Sequence, residues 1–208
     1  MRQGAFREWY RLVMDYVLLN LIFLVFVLLG AGVTFGAAFK SLHFVAFKLA
    51  DKDRHTAVFR DFWNGFKDEF LKSTLIWIAV AATGLLLFFI GHLALENQQV
   101  YLMVSVLVTA SILVLYLLYL YPVMAVFQSP SLRALFRNTF LLFARNPLTS
   151  LLMLGSLATV VVMFLIFEGT ILVSIGLFAW METMHLGRLF HPYLENFVQN
   201  SSPVDKDD

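Results

Sequence analysis

Apolar runs separated by short polar or charged blocks make up most of this chain. Four are clean, at residues 16–33, 73–95, 101–127 and 148–167. Each reaches or exceeds the ~17 to 25 residues that a helix needs to cross a ~30 Å hydrocarbon core. A fifth run, 170–190, is more polar because it holds Glu182 and His185. A sixth, 34–49, is apolar enough to cross but contains Lys40, Ser41 and His43, so it reads either as a surface helix or as a span. The pattern predicts an all-α, polytopic transmembrane helical bundle, with six spans favoured and five as the alternative.

The distribution of basic residues arbitrates between those counts. With six spans, one side collects Arg2, Arg7 and Arg11, then Lys48, Lys52, Arg54, Arg60, Lys67 and Lys72, then Arg133, Arg137 and Arg145, then Arg188 and Lys206. The opposite turns, near Gly30 and Gly32, at residues 96–99 and at Glu168, carry no Lys or Arg, and Lys40 alone is left at membrane depth. Five spans with the 34–49 segment on the surface would put the three N-terminal arginines on the other face. The expected location is a bacterial cytoplasmic membrane, multi-pass, with both termini cytoplasmic. The glycines at 30, 32 and 36 suit a tight reversal between two antiparallel helices.

Each hairpin is preceded by a basic amphipathic stretch. Phe59, Phe62, Phe66 and Phe70 recur at spacings of three and four, with Trp63 beside them and Arg60, Asp61, Lys67, Asp68 and Lys72 opposite. Leu132, Leu135, Phe136, Phe140 and Phe143 repeat the arrangement against Arg133 and Arg137. Near the N-terminus, Phe6, Trp9, Tyr10 and Val13 do so against the arginines. These are expected to be cytoplasmic interfacial helices, apolar face in the acyl boundary. Ser129 with Pro130, and Asn146 with Pro147, read as helix starts.

Composition agrees and narrows the function classes. Of 208 residues, 60% are hydrophobic and 14% charged, more apolar surface than a water-soluble fold of this size can cover. The net charge of +1 gives no field to attract nucleic acid. Without Cys there is no disulfide, thiolate metal site or cysteine nucleophile. The first run is read as a retained span rather than a signal peptide, because Glu8, Trp9, Tyr10 and Asp15 make its lead-in long, aromatic and partly acidic. Residues 1–200 are expected to form one transmembrane domain and 201–208 a disordered acidic tail.

Asn20, the hairpin residues 34–38, the segment 59–67, residues 121–125, Arg137 with Asn138, and Arg145-Asn146-Pro147 together resemble the YesL family, over residues 20 to 190. The family comprises small bacterial membrane proteins of unknown function. The resemblance implies an accessory place beside carbohydrate uptake and degradation, including binding-protein-dependent (ABC) sugar importers. It carries no catalytic or ligand residue. Lys40 and His43 depart from the family pattern, which makes any role of theirs particular to this chain.

Ionisable groups at bilayer depth are where function is sought first, because burying them is costly unless they are paired or hydrated. The candidates are Asn20, Lys40, His43, Glu182 and His185. One reading places Glu182 and the second helix at a polar cavity, with His43 or Asn20 within reach of the carboxylate. The other places Glu182 at the headgroup level beside Arg188, with Lys40 snorkelling outward. Glu182 and His185 spell E-x-x-H, but a bundle metal site needs a second copy and more carboxylates, so no metal or other cofactor is expected. Spacings of zinc proteases, nucleophile elbows and nucleotide loops are lacking, so no enzyme is expected. Arg60, Trp63, Lys67, Arg133 and Arg137 are candidates for contact with lipid headgroups or a cytoplasmic partner such as a transporter ATPase. Two functions follow: a non-catalytic accessory component of carbohydrate uptake or utilisation, and a small transporter or channel. Oligomeric state is open.

Overall fold

The computed structural model describes residues 2–51, 56–127 and 131–201, with side chains from 7 to 190. The described residues form α1 (Arg2–Leu29), α2 (Phe35–Ala50), α3 (Val58–Lys67), α4 (Phe70–Glu96), α5 (Val100–Val126), α6 (Leu132–Arg145), α7 (Pro147–Ile166) and α8 (Ile171–Ser201), with a single 3-10 turn, Glu168–Thr170, before α8. All-α architecture is thus observed. The proposed acidic tail lies outside the described residues, save Ser201 at the end of α8.

Five helices, α1, α4, α5, α7 and α8, are long and apolar enough to cross a membrane. The segment expected as a sixth span is not among them: α2 has 16 residues, a rise of about 24 Å against a ~30 Å core. It survives because it does not face lipid along most of its length. Nine of its residues are buried, among α1, α3, α4, α5 and α8.

Side-chain pairings give the directions. Phe23 meets Phe35 and Phe39, and the Tyr16 hydroxyl donates to the Ala46 carbonyl, so α1 and α2 are antiparallel. Phe39 with Phe178 and Phe47 with Phe190 show α2 and α8 parallel. Asn20 and Tyr16 of α1 meet Ile171 and Gly176 of α8, again antiparallel. With α4–α5 and α7–α8 as hairpins, the direction alternates as six crossings would. The start of α1 and the finish of α8 therefore share one end of the bundle with Lys48, the start of α3 and Arg188, while the finish of α3 and Lys72 lie higher, beside Lys40 and Gly36.

Local chemistry sets the joints. In the α1–α2 reversal Gly32 has φ +78, which its missing Cβ allows, and its carbonyl accepts from the Trp77 indole at 2.9 Å. Gly36 permits a close approach: a Cβ there would lie 2.4 Å from the Ser73 carbonyl oxygen and 2.7 Å from Trp77 Cβ. Between α3 and α4, Glu69 takes the left-handed conformation at φ 50 and breaks what would otherwise be one helix. The cap of α6 is Ser131, which accepts from the Ala134 amide; the expected Ser129 and Pro130 lie outside the described residues. Pro147 opens α7 as expected.

Two expected interfacial helices differ from the reading above. The N-terminal amphipathic stretch is continuous with α1, since no helix breaker separates them. The apolar face of α3 turns largely to protein: Phe62 and Phe66 are buried and pack on Phe26 of α1, leaving Phe59 and Trp63 exposed. A stripe that can cover lipid can equally cover another helix, and periodicity does not choose between them.

Candidate functional site

On α2, residues four apart share a face, and Phe39, His43 and Phe47 line up along α8. In the middle of that seam His43 Nε2 lies 2.5 Å from Glu182 Oε2, and both side chains are fully buried. The other ring nitrogen, Nδ1, is 2.9 Å from the Phe39 carbonyl oxygen. A carbonyl only accepts, so Nδ1 carries hydrogen and donates. The second carboxylate oxygen, Glu182 Oε1, is buried without a hydrogen-bond partner among the described residues. Tyr119 of α5 is within electrostatic range of Glu182. Its hydroxyl pairs with Ser150 Oγ at 3.0 Å and donates to the Asn146 carbonyl at 3.3 Å.

Lys40, one turn before His43, points the other way. Its Nζ donates to the Asp68 carbonyl at 2.6 Å and to Asp68 Oδ2 at 2.7 Å, with Glu69 Oε2 at 4.0 Å. The buried ammonium thus clamps the α3–α4 break, while the Asp68 carboxylate stays largely exposed. Lys48 closes the far end of the α2–α3 pair on Asp61 at 2.7 Å. Asn20 is consumed by α8: its Nδ2 donates to the Ile171 carbonyl at 3.1 Å and its Oδ1 accepts from the Gly176 amide at 2.9 Å. Only a residue without a side chain fits there, because a Cβ on Gly176 would lie 2.5 Å from the Tyr16 carbonyl oxygen.

Of the five membrane-depth candidates, the structure brings His43 and Glu182 into contact and gives Asn20 and Lys40 separate partners. His185 is half-buried and joins none of these bonds. Of the two partners within its reach, Glu182 takes His43 rather than Asn20, and Arg188 is exposed. The neighbouring cavity, about 290 Å³, is walled by Phe23, Phe35, Phe39, Trp77, Tyr121 and Phe178 with aliphatic residues. The partners that sequence reasoning missed are Asp68, Gly176 and Tyr119. Asp68 was visible only as one charge on the polar face of the 59–72 stripe, without the break that turns it to Lys40; the other two carried no signal.

Arg60 and Lys67, with Trp63, form the exposed face of α3, and Lys67 lies 5.2 Å from the Trp63 ring centroid. Arg133 and Arg137 are likewise exposed on α6. No group of three or more His, Asp or Glu able to hold a metal occurs among the described residues.

Fold and site together define a multi-pass helical membrane protein whose central short helix is held by paired ionisable side chains. A family model described as a protein of unknown function, DUF624, matches residues 16–89, from the apolar part of α1 through most of α4. The matched stretch includes Asn20, Lys40, His43 and Asp68 and stops well before Glu182. No curated protein and no solved structure matches the chain.

Proposed function

We propose that this chain is a non-catalytic accessory component of a bacterial cytoplasmic membrane, working beside a carbohydrate uptake or utilisation system. The observation that carries this reading is that every ionisable group on the central helix is engaged within the chain: Lys40 by Asp68, His43 by Glu182 and Lys48 by Asp61. A route for a sugar needs donors and acceptors turned toward the solute, whereas here they are turned toward one another. The cavity beside them is faced with aromatic rings. The carbohydrate context rests on the resemblance to the YesL family and on nothing in the geometry.

Lys48, the start of α3 and Arg188 at the end that holds both termini support cytoplasmic termini by the positive-inside rule. Arg60, Trp63, Lys67, Arg133 and Arg137 then face the cytoplasmic headgroups, available to anionic lipid or to components of a sugar importer. Cross-linking in native membranes followed by affinity purification tests the role. Recovery of importer subunits is expected, and their loss on reversing the charges of Arg133 and Arg137. Repeated isolation of the chain without any such subunit counts against it.

A second reading, a small transporter, is favoured by one observation: an unpartnered carboxylate oxygen at the bundle centre. It requires solute or proton flux in liposomes holding this protein alone, abolished by Glu182→Gln. The accessory role requires none.

A further inference from the structure

The hydrogen-bond geometry around His43 fixes a proton count. With Nδ1 committed to the Phe39 carbonyl as donor, the 2.5 Å contact between Nε2 and Glu182 Oε2 needs one hydrogen between those two atoms. Either an imidazolium donates to a carboxylate, or a carboxylic acid donates to a neutral imidazole. Both forms are net neutral and differ only in where along the bond the hydrogen sits. Take that proton away and two lone pairs face each other, with a bare carboxylate left inside the bundle, an arrangement that burial makes costly.

No other charge on the packed elements can replace it. On α2, Lys40 is held by Asp68 with Glu69 beyond it, and Lys48 by Asp61 of α3. On α4, Lys72 is bound to Glu69 at 2.7 Å. On α1, Asp15 is half-buried beside Tyr16, whose hydroxyl is spent on the Ala46 carbonyl. On α8, His185 is half-buried and Arg188 exposed. On α5, Tyr119 donates to the Asn146 carbonyl and pairs with Ser150, and the buried Tyr121 hydroxyl has no partner among the described residues. Among the described residues, His43 is therefore the one basic side chain paired with Glu182.

We propose that His43 and Glu182 form a membrane-depth proton-binding site that joins α2 to α8 only while it holds a single proton. On release, the N–H or O–H bond of the pair breaks, the proton passes to water, and the site is left with one negative charge. The seam between Phe39 and Phe178 on one side and Phe47 and Phe190 on the other then loses its polar centre. The site does not depend on the accessory role, and it would serve a transporter equally.

The chain contains no Cys, so two introduced cysteines report cleanly. Spin labels on Ala50→Cys, at the exposed end of α2, and Met184→Cys, on the exposed side of α8, give their separation in lipid nanodiscs from about pH 5 to about pH 10. The expected result is one narrow distance at the acid end, with a second, longer population rising several-fold as pH increases. Glu182→Gln supplies an amide that donates to Nε2 without a dissociable proton, so it should hold the short distance throughout. A wild-type distribution that ignores pH, or a Glu182→Gln protein that responds as wild type does, overturns the proposal. Nitrogen NMR of the wild-type histidines needs no pair variant to fold. The His43 ring should carry hydrogen on Nδ1 and share a second one with Glu182 at the acid end, and a ring protonated on Nε2 alone overturns the proposal as well.

Discussion

The central helix α2 and the outer halves of α4 and α5 are built on opposite rules. On α2, Lys40, Ser41 and His43 are at most 1% exposed. On the α4–α5 hairpin, Leu85, Phe88, Leu107 and Val108 are more than half exposed. In water this would be an inverted protein; in lipid it is the expected one. Hydrocarbon tails solvate leucine and phenylalanine at no cost but cannot satisfy an ammonium, an imidazole or a carboxylate. Polar groups must therefore find each other, and they do so where protein surrounds them on all sides.

The sharpest way to break this contrast is to remove one partner on α2. His43→Leu leaves the Glu182 carboxylate buried and unpaired and should destabilise by about 3 to 5 kcal/mol. The double variant His43→Leu with Glu182→Leu should recover most of that. Thermal unfolding in detergent measures both, and a double variant as unstable as the single would mean the pair is not the origin of the loss.

Next in size is a lysine placed where α2 tolerates one and α4 should not. Leu85→Lys puts an ammonium against lipid near the middle of α4, with no carboxylate to meet it. The expected penalty is about 2.5 to 3.5 kcal/mol in an insertion assay. Insertion as efficient as that of the parent would show that this stretch is not lipid-facing.

Two glycines give the finest comparison. Gly36→Ala must displace the Ser73 carbonyl or the Trp77 side chain, at about 1 to 3 kcal/mol. Gly84→Ala meets nothing within 4 Å and should be neutral or stabilising by up to about 1 kcal/mol. Equal melting shifts for the two would remove the packing distinction between the regions.

The boundaries of the long helices were legible because their cause is local: an apolar run ends where a charge, a glycine or an Asn-Pro step begins. Glu182 was visible as an ionisable group inside a span, and His43 as one of two residues within its reach. The choice between them was not visible, nor was the loss of Asn20 to the α8 backbone, since 139 and 151 residues of chain separate those partners. Lys40 shows the same limit, because its fate depended on where the α3–α4 break would fall.

The order of residues therefore determined that this chain partitions into lipid, where its helices lie and which end carries the positive charge, all of which follow from transfer free energy summed over neighbours in sequence. Tertiary structure alone decided that the shortest apolar run becomes the enclosed centre of the bundle and that its imidazole meets the carboxylate of α8. Helix-to-helix contact depends on which faces interlock in space, and a periodic stripe gives the same signal whether it will meet lipid or another helix.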